Sequence, residues 1–192
     1  LTRHLIELGH TRIAYVDTWW GYEHDHAHHS VGDRRDGYAD AIAEAGLEPE
    51  WFLLQEATPH EQWQQLGRWL RRPGRPTAVV SYWTADAWPI LNICGKLGLQ
   101  AGRDLSVASF AQPNDAGVYG FGLTVLSQPE ASLGHAAVDV LIERMNGARP
   151  LPAAVVKGKL IVGETTAAPD AGREGNEEPS DGPSRERPDT SK

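Results

Sequence analysis

Aromatic and amide side chains follow several short apolar runs that are typical of buried strands. Parallel strands place their carboxyl ends at one edge of a sheet, and ligands of open α/β sheets bind in the crevice outside that edge. Indole rings stack on flat or apolar groups, and amides form hydrogen bonds with hydroxyls. The sequence therefore predicts a small-molecule site formed by Trp20, Trp83, Gln112 and Gln128.

Arg34 adds a guanidinium near the start of the helix that follows the first of these runs. Its planar fork of donors suits hydroxyl or carboxylate oxygens. The residues alone leave two interpretations open: contact with a bound ligand, or an arginine solvated at the start of a helix.

Histidines alternate in the loop between the first run and that helix. His24, His26 and His28 have a period of two, so an extended backbone would point all three imidazoles the same way. Imidazole nitrogens bind zinc, nickel or copper. A flexible loop lacks preorganisation, however, and no further ligands occur at a recognisable spacing. We therefore assign no metal site and keep a metal sensor as an alternative.

The sequence lacks the common catalytic and cofactor-binding motifs. It has no Gly-x-Gly-x-x-Gly, no Gly-x-x-x-x-Gly-Lys and no Gly-x-Ser-x-Gly. Cys94 lies on the apolar side of a predicted helix, and Asp86 and Asp104 fit a helix cap and a turn. We expect no catalytic residue, no cofactor and no enzyme activity.

Composition favours an acidic α/β protein in a reducing compartment. Hydrophobic residues make up 40% of the 192 residues, and the net charge of −8 argues against a direct grip on nucleic-acid phosphates. The single cysteine excludes an internal disulfide. No secretory signal is visible, and no apolar run approaches the roughly 20 residues that span a bilayer. We expect a cytoplasmic location.

The first residues predict that the chain is part of a larger protein. Leu1, Leu5 and Leu8 share one helical face, Gly9 is placed to end the helix, and a strand follows over residues 13–16. A helix joined to a core strand by so short a turn is half of a βαβ unit, so a preceding strand is missing. The only methionine is Met145, which agrees with a truncated sequence or a non-standard start.

Helices and short apolar runs alternate along the rest of the chain, which indicates an α/β fold with a largely parallel sheet. Further strands are expected at residues 51–55, 77–83, 105–110, 123–126 and 155–162. Helix starts are expected at a cap on Asp33, at a capping box over Thr58–Glu61, at Asp86, and at a second capping box over Ser127–Glu130. Helix ends are expected near Gly46, Gly98 and Gly147.

Residues 168–192 have a different composition. They contain seven acids, four bases and no large apolar side chain. Such a segment cannot bury enough apolar area to offset the entropy of ordering. We expect a disordered acidic tail.

Several stretches together resemble the effector-binding domain of the LacI/GalR (lactose-repressor/galactose-repressor) family of bacterial transcription regulators. Their order and spacing are kept over residues 1–166, which makes the resemblance specific. The stretches are residues 5–16 (LIELGHTRIAYV), 34–38 (RRDGY), 76–80 (PTAVV), 97–99 (LGL), 104–107 (DLSV), 123–129 (LTVLSQP), 133–134 (LG) and 160–162 (LIV).

The resemblance implies a periplasmic-binding-protein-like I fold, in which a ligand cleft separates two α/β lobes. Residues 1–167 would be a partial sensor domain: the C-terminal lobe, with residues 123–147 as an excursion into an N-terminal lobe that is largely missing. The N-terminal DNA-binding headpiece would also lie outside the chain. The excursion helix would then expose or repack its apolar stripe, formed by Leu133, Ala137, Val140 and Leu141.

The family's Arg-x-x-Gly motif places an arginine against effector oxygens, so we favour effector contact for Arg34. Two departures concern the effector. Trp83-Thr84 replaces the usual Asn-Asp, and Ser109–Gln112 replaces the usual Gly-Tyr-Asp-Asp. These changes remove groups that bind sugar hydroxyls, at about 1–3 kcal/mol for each group left unpaired. The effector is expected to be sugar-like or more apolar. Alternatively, Trp20 and Trp83 only fill space in an unliganded lobe.

The resemblance implies the small-molecule-sensing part of a transcription regulator. Effector binding would favour one orientation of the lobes and shift the operator affinity of a homodimer. An extracytoplasmic solute-binding protein of the same fold is an alternative, as is the metal sensor.

Overall fold

A computed structural model describes residues 1–17, 29–53, 58–111, 122–149 and 154–170. Six strands and five helices lie in these ranges. The strands are β1 (Ile13–Asp17), β2 (Glu50–Leu53), β3 (Ala78–Ser81), β4 (Ser106–Ala111), β5 (Thr124–Ser127) and β6 (Lys159–Ile161). The helices are α1 (Thr2–Glu7), α2 (His29–Glu44), α3 (Pro59–Arg71), α4 (Thr84–Lys96) and α5 (Glu130–Met145).

The six strands form one sheet in the order β2-β1-β3-β4-β5-β6. Strands β1 to β5 pair in parallel, and β6 adds to β5 in the antiparallel direction. This mixed sheet confirms the predicted α/β class. It also brings the carboxyl ends of β1, β3, β4 and β5 to one edge.

Apolar side chains cover both faces of the sheet. On one face, α3 and α4 pack against β1, β3 and β4 through residues that include Leu66, Leu70 and Ile90. On the other face, α1 and α2 pack through Leu5 and Ile42. Residues alternate between the two faces along each strand, as a doubly covered parallel sheet requires.

Several predicted helix boundaries are confirmed. Gly9 and Gly46 have φ angles of 97° and 65°, which a residue with a Cβ rarely adopts, and each follows the end of a helix. At α3, the backbone N–H of Thr58 donates to Glu61 Oε2 at 2.8 Å, and the capping box is complete.

The helix starts predicted at Asp33 and at Asp86 are wrong. Helix α2 begins at His29, so Asp33 lies inside it, and the packing of Val31 on the core accounts for the extra turn. Helix α4 begins at Thr84 instead of Asp86, because the carbonyl of Trp83 accepts from two backbone N–H groups. Pro89 therefore lies inside the helix, where it costs one backbone hydrogen bond.

The second predicted capping box is also wrong. Pro129 is the N-cap of α5, and no side chain caps that helix. Ser127 is instead the last residue of β5, paired with Ala111 on one side and Lys159 on the other. Its backbone is committed to the sheet, so its hydroxyl does not serve the helix.

Helix α5 differs from the others because none of its residues is buried. Large apolar side chains on it are exposed, among them Leu133, Leu141 at 55% and Met145 at 77%. The predicted exposure of this stripe is confirmed for Leu133, Ala137 and Leu141, whereas Val140 is half-buried. A helix with this pattern needs a covering surface.

None of the helices in the described part of the chain is long and apolar enough to cross a membrane. Residues 168–170 are described as non-helical backbone. The rest of the predicted tail lies outside the described residues.

Candidate functional site

Arg34 joins helix α2 to the carboxyl ends of two neighbouring strands. Its Nη1 donates to the carbonyl oxygen of Tyr82, just after β3, at 2.7 Å. The guanidinium carbon also lies 4.6 Å from the centre of the Tyr82 ring, 5.2 Å from that of Trp83 and 4.4 Å from that of Phe110. These distances fall within the range of cation–π attraction. We call Arg34, Tyr82, Trp83 and Phe110 the arginine–aromatic cluster.

The sheet register explains why the rings meet. In the parallel pairing of β3 with β4, Val80 lies opposite Ala108. Tyr82 and Phe110 each stand two residues further on, so both side chains project toward the α2 face. Helix α2 lies on the same face and carries Arg34 one turn before Tyr38.

Tyr38 fixes α2 to the sheet. Its hydroxyl donates to the carbonyl oxygen of Ile13 at 2.8 Å and accepts from the backbone N–H of Glu50 at 2.9 Å. The ring lies edge-on to Trp51, with ring centres 4.8 Å apart. Burial raises the pKa of Tyr38 to about 12, so its hydroxyl stays protonated and remains a donor. This anchor holds the position of Arg34, one turn earlier.

Asp17 and Arg35 form an ion pair beside the cluster. Arg35 Nη2 donates to Asp17 Oδ2 at 2.7 Å, and the Asp17 side chain is almost fully buried. Asp17 is the last residue of β1. The pair joins α2 to a third strand end, so two consecutive arginines connect one helix to β1 and β3.

Burial shapes the electrostatics of this edge. It lowers the pKa of Arg34 from its ordinary value, chiefly through desolvation, although the group stays charged at any physiological pH. Burial also raises the pKa of Tyr15 well above its usual range, and the Tyr15 hydroxyl has no hydrogen-bond partner within the described residues. Arg34 is therefore a half-buried permanent cation close enough to Tyr15 and Asp17, at the end of β1, to interact with them electrostatically.

The structure brings together some of the predicted site residues. Arg34 and Trp83 are in contact through the guanidinium and the indole ring. Gln128 is half-buried next along the same edge, where its backbone N–H donates to the carbonyl oxygen of Ala111 at 3.1 Å. Trp20 and Gln112 lie outside the described residues. Their assignment to the site stays a prediction.

Other residues of this edge were missing from the predicted site: Tyr15, Asp17, Arg35, Tyr82 and Phe110. Two-residue periodicity along the strands could have indicated Tyr82 and Phe110 once the pairing of β3 with β4 was known. The adjacent arginines of the Arg-Arg-Asp-Gly motif could have indicated a partner for Arg35 at a strand end.

This arrangement suits binding of a small molecule. A guanidinium has five N–H donors, and within the described residues one from Arg34 is used, toward Tyr82. The remaining donors suit ligand oxygens, and the surrounding rings offer faces for flat or apolar groups.

The alternative metal site cannot be placed, because His24, His26 and His28 all lie outside the described residues. Within the described ranges, no group of three or more His, Cys, Asp or Glu side chains could hold a metal ion. Cys94 is buried in the core, which raises its pKa to about 11. Its thiol is therefore an apolar packing group.

The fold defines the class of protein to which the chain belongs. Residues 2–166 match the family model described as a periplasmic binding protein-like domain. The chain belongs to that family.

Within that class, the relatives are LacI-type regulators. The chain is 29% identical over 162 residues to the HTH-type transcriptional repressor PurR of Glaesserella parasuis serovar 5; the match covers 83% of the chain and 46% of the relative. A crystal structure of a LacI family transcriptional regulator from Mycobacterium smegmatis is 32% identical, with a TM-score of 0.68, over 88% of the chain and 62% of that protein. The resemblance to a LacI/GalR-type effector-binding domain is confirmed.

The fold is also seen in a crystal structure of the lac repressor dimer bound to operator and the anti-inducer ONPF. That structure is 24% identical with a TM-score of 0.71, and the match covers 86% of the chain and 56% of the repressor. The chain spans about half the length of the curated relatives it matches. More than half of each of these curated relatives lies outside the matched region.

Proposed function

We propose that this chain is the sensor part of a LacI/GalR-type transcription regulator, in which a small molecule bound at the arginine–aromatic cluster changes operator affinity. The cluster carries the proposal, because it places a half-buried cation at the carboxyl edge of a parallel sheet, and within the described residues only one of its donors is used. That edge is where open α/β sheets bind ligands. The named relatives include the transcriptional repressor PurR and a LacI family transcriptional regulator, which agrees with this role.

The proposed domain organisation follows from the exposed face of α5. Residues 1–167 are a partial sensor domain, made of the C-terminal lobe and an excursion at residues 123–147, of which helix α5 packs on an N-terminal lobe. Residues 168–192 are an acidic tail. The apolar side chains of α5 need a covering surface, and the relatives contain about twice the length of this chain.

The proposed mechanism is a shift between two lobe orientations. The cluster forms one wall of the cleft, and the effector favours the orientation in which both walls contact it. The operator affinity of a cytoplasmic homodimer then changes by linkage. Trp20, Gln112 and Gln128 are proposed to complete this wall. The effector is proposed to be sugar-like or more apolar, since indole and phenyl rings surround the cation.

A gel-shift experiment tests the regulator hypothesis. The product of the longest reading frame that contains this chain is compared with the 192-residue chain, using genomic fragments selected for binding to the longer product. The longer product should retain a specific fragment at nanomolar concentration, and the chain alone should not. A longer product that binds no fragment above its nonspecific level would contradict the proposal. An extracytoplasmic binding protein of this fold is not favoured by the relatives.

A further inference from the structure

The hydroxyl of Tyr15 is a buried hydrogen-bond donor beside the arginine–aromatic cluster. The Tyr15 side chain is fully buried, and its hydroxyl has no hydrogen-bond partner within the described residues. The Nε–H of Arg35, whose Nη2 bonds to Asp17 at the end of β1, is a second buried donor without a partner among those residues. A buried polar group without a partner lowers stability. Two such donors therefore indicate a place where a bound acceptor is stabilised.

The sheet register places Tyr15 on the side of the sheet that carries the cluster. Tyr15 lies opposite Val80 in the parallel pairing of β1 with β3, and Tyr82 stands two residues past Val80. Side chains two residues apart project toward the same face, so both tyrosines lie on the face covered by α2. They belong to one buried cluster, against which Trp83 and Phe110 pack.

The charges that act on the Tyr15 hydroxyl come from the carboxyl edge of the sheet. Burial raises the pKa of Tyr15 most, and the carboxylate of Asp17 raises it further. The guanidinium groups of Arg35 and Arg34 oppose this increase, and Asp86, in the first turn of α4, adds to it. The hydroxyl is therefore directed toward the proposed binding edge, where two guanidinium groups and two carboxylates act on it with opposite signs.

Serine hydroxyls at the ends of β3 and β4 already have partners. Ser81 Oγ donates to the carbonyl oxygen of Trp83 at 3.2 Å, and Ser109 Oγ donates to the carbonyl oxygen of Phe110 at 3.0 Å. Arg34 has donors only, and one of its N–H groups is used within the described residues. The described groups left to contact a ligand at this edge are therefore rich in donors.

We propose that the Tyr15 hydroxyl donates a hydrogen bond to an uncharged acceptor of the effector, a carbonyl oxygen or a ring nitrogen, and so selects a flat ligand over a polyol. This role rests on the proposed function, and it makes Tyr15 a specificity-determining residue of the same site. Every hydroxyl of a polyol brings a proton that needs an acceptor, which a donor-rich edge supplies poorly. An anion gains little where opposite charges balance, and it still loses its hydration.

The hydroxyl is already out of water in the free protein. A ligand that accepts from it therefore gains the whole hydrogen bond without first displacing water from the hydroxyl. Tyr15→Phe removes this donor and keeps the ring, whose centre lies 5.5 Å from that of Tyr38 and 5.7 Å from that of Trp51. The variant should keep its stability and lose effector affinity, a combination that a purely structural role would not produce.

Operator binding by the longer gene product tests this role, with the small-molecule fraction of the producing organism as the probe. Tyr15→Phe should need about tenfold more of that fraction for the half-maximal change in operator binding. Its midpoint of urea unfolding without the fraction should not fall. Trp51→Phe is the matched control, because it disturbs the packing of the Tyr15 ring and keeps the hydroxyl. It should shift the half-maximal amount by less than about twofold.

Separation of the probe tests the chemical class of the effector. The activity should pass through an anion-exchange column and through a boronate column, which retains vicinal diols. Activity retained by either column would overturn the class, and an equal response of Tyr15→Phe and Trp51→Phe would overturn the role of the hydroxyl. If Arg34→Met needs more effector and Tyr15→Phe does not, the role of Tyr15 fails and the proposed function stands. If both variants respond like the unsubstituted protein, both fail.

Discussion

The guanidinium of Arg34 lies 4.4 Å from the centre of the Phe110 ring, which joins helix α2 to the end of strand β4. Tyr82, at the end of β3, accepts a hydrogen bond from the same guanidinium. One side chain of α2 therefore contacts two neighbouring strand ends. Movement of α2 relative to these strands would change the shape of the proposed binding edge.

Tyr38 and Tyr15 differ in whether the hydroxyl has a hydrogen-bond partner among the described residues. Tyr38→Phe should lower the free energy of unfolding by about 1–2 kcal/mol, because it removes the hydroxyl bonded to the carbonyl of Ile13 and the N–H of Glu50. Tyr15→Phe is the matched control. Its hydroxyl has no partner within the described residues, so its loss should be neutral or stabilising. Urea unfolding of both variants measures the difference, and an equal cost would contradict this account.

His10 should make stability fall with decreasing pH. Its ring bonds to Thr77 Oγ1 at 2.9 Å and Ser106 Oγ at 3.0 Å, and burial lowers its pKa from the ordinary 6.5. The unfolded chain then binds the proton on His10 more tightly than the folded chain does. The contribution of neutral His10 to the free energy of unfolding is therefore fully present above pH 6.5 and is lost as the pH falls below that value. The free energy of unfolding should therefore decrease between pH 7.5 and pH 5.5.

The variant His10→Asn should show a smaller decrease over that range, because its side chain no longer titrates. His135→Asn on the exposed face of α5 is the control and should match the unsubstituted chain. His4, whose pKa burial also lowers, contributes in the same direction in all three proteins. An identical pH dependence in the two variants would exclude His10 as a source.

Helices α3 and α5 should respond very differently to loss of an apolar side chain. Leu66→Ala in α3 should cost about 2–5 kcal/mol, since Leu66 is fully buried. Leu141→Gln in α5 should change the stability of the 192-residue chain by less than about 0.5 kcal/mol, because Leu141 is exposed. In the longer gene product, the same α5 substitution should cost more than about 1 kcal/mol, because it would remove a covered apolar side chain and bury an amide. Equal costs in the two lengths would refute the proposed cover for α5.

Two residues test helix capping. Thr58→Ala should cost about 1 kcal/mol, because the hydroxyl accepts from the N–H of Glu61 and completes a capping box. Ser127→Ala should cost less, since no side chain caps α5. Chemical denaturation of both variants gives the comparison. A larger cost at Ser127 than at Thr58 would contradict this comparison.

Local chain signals predicted some boundaries and misplaced others. Gly9 and Gly46 ended helices as expected because a positive φ is a property of the residue itself. Asp33 and Ser127 failed because a potential cap is a weak preference that packing and strand pairing override. The loss of a potential cap costs only about 1 kcal/mol, and the partial burial of Val31 and the pairing of Ser127 on both sides in the sheet oppose it.

Local sequence signals also predicted only part of the candidate site. Arg34 and Trp83 were predicted from their positions near a helix start and after a strand, and they are in contact. Tyr82 and Phe110 were missed because their meeting depends on which strands are neighbours. The sheet order is a nonlocal property, and alternation along one strand does not determine it.

The most direct test of the central claim is effector-induced release of operator DNA by the longer gene product carrying Arg34→Met. The probe is the small-molecule fraction of the producing organism. The variant should bind operator DNA as the unsubstituted protein does, yet need at least about tenfold more effector for half release, as expected for loss of a charge-assisted hydrogen bond. Arg144→Met on α5 should leave release unchanged. Release of the Arg34→Met protein at the same effector concentration as the unsubstituted protein would contradict the account.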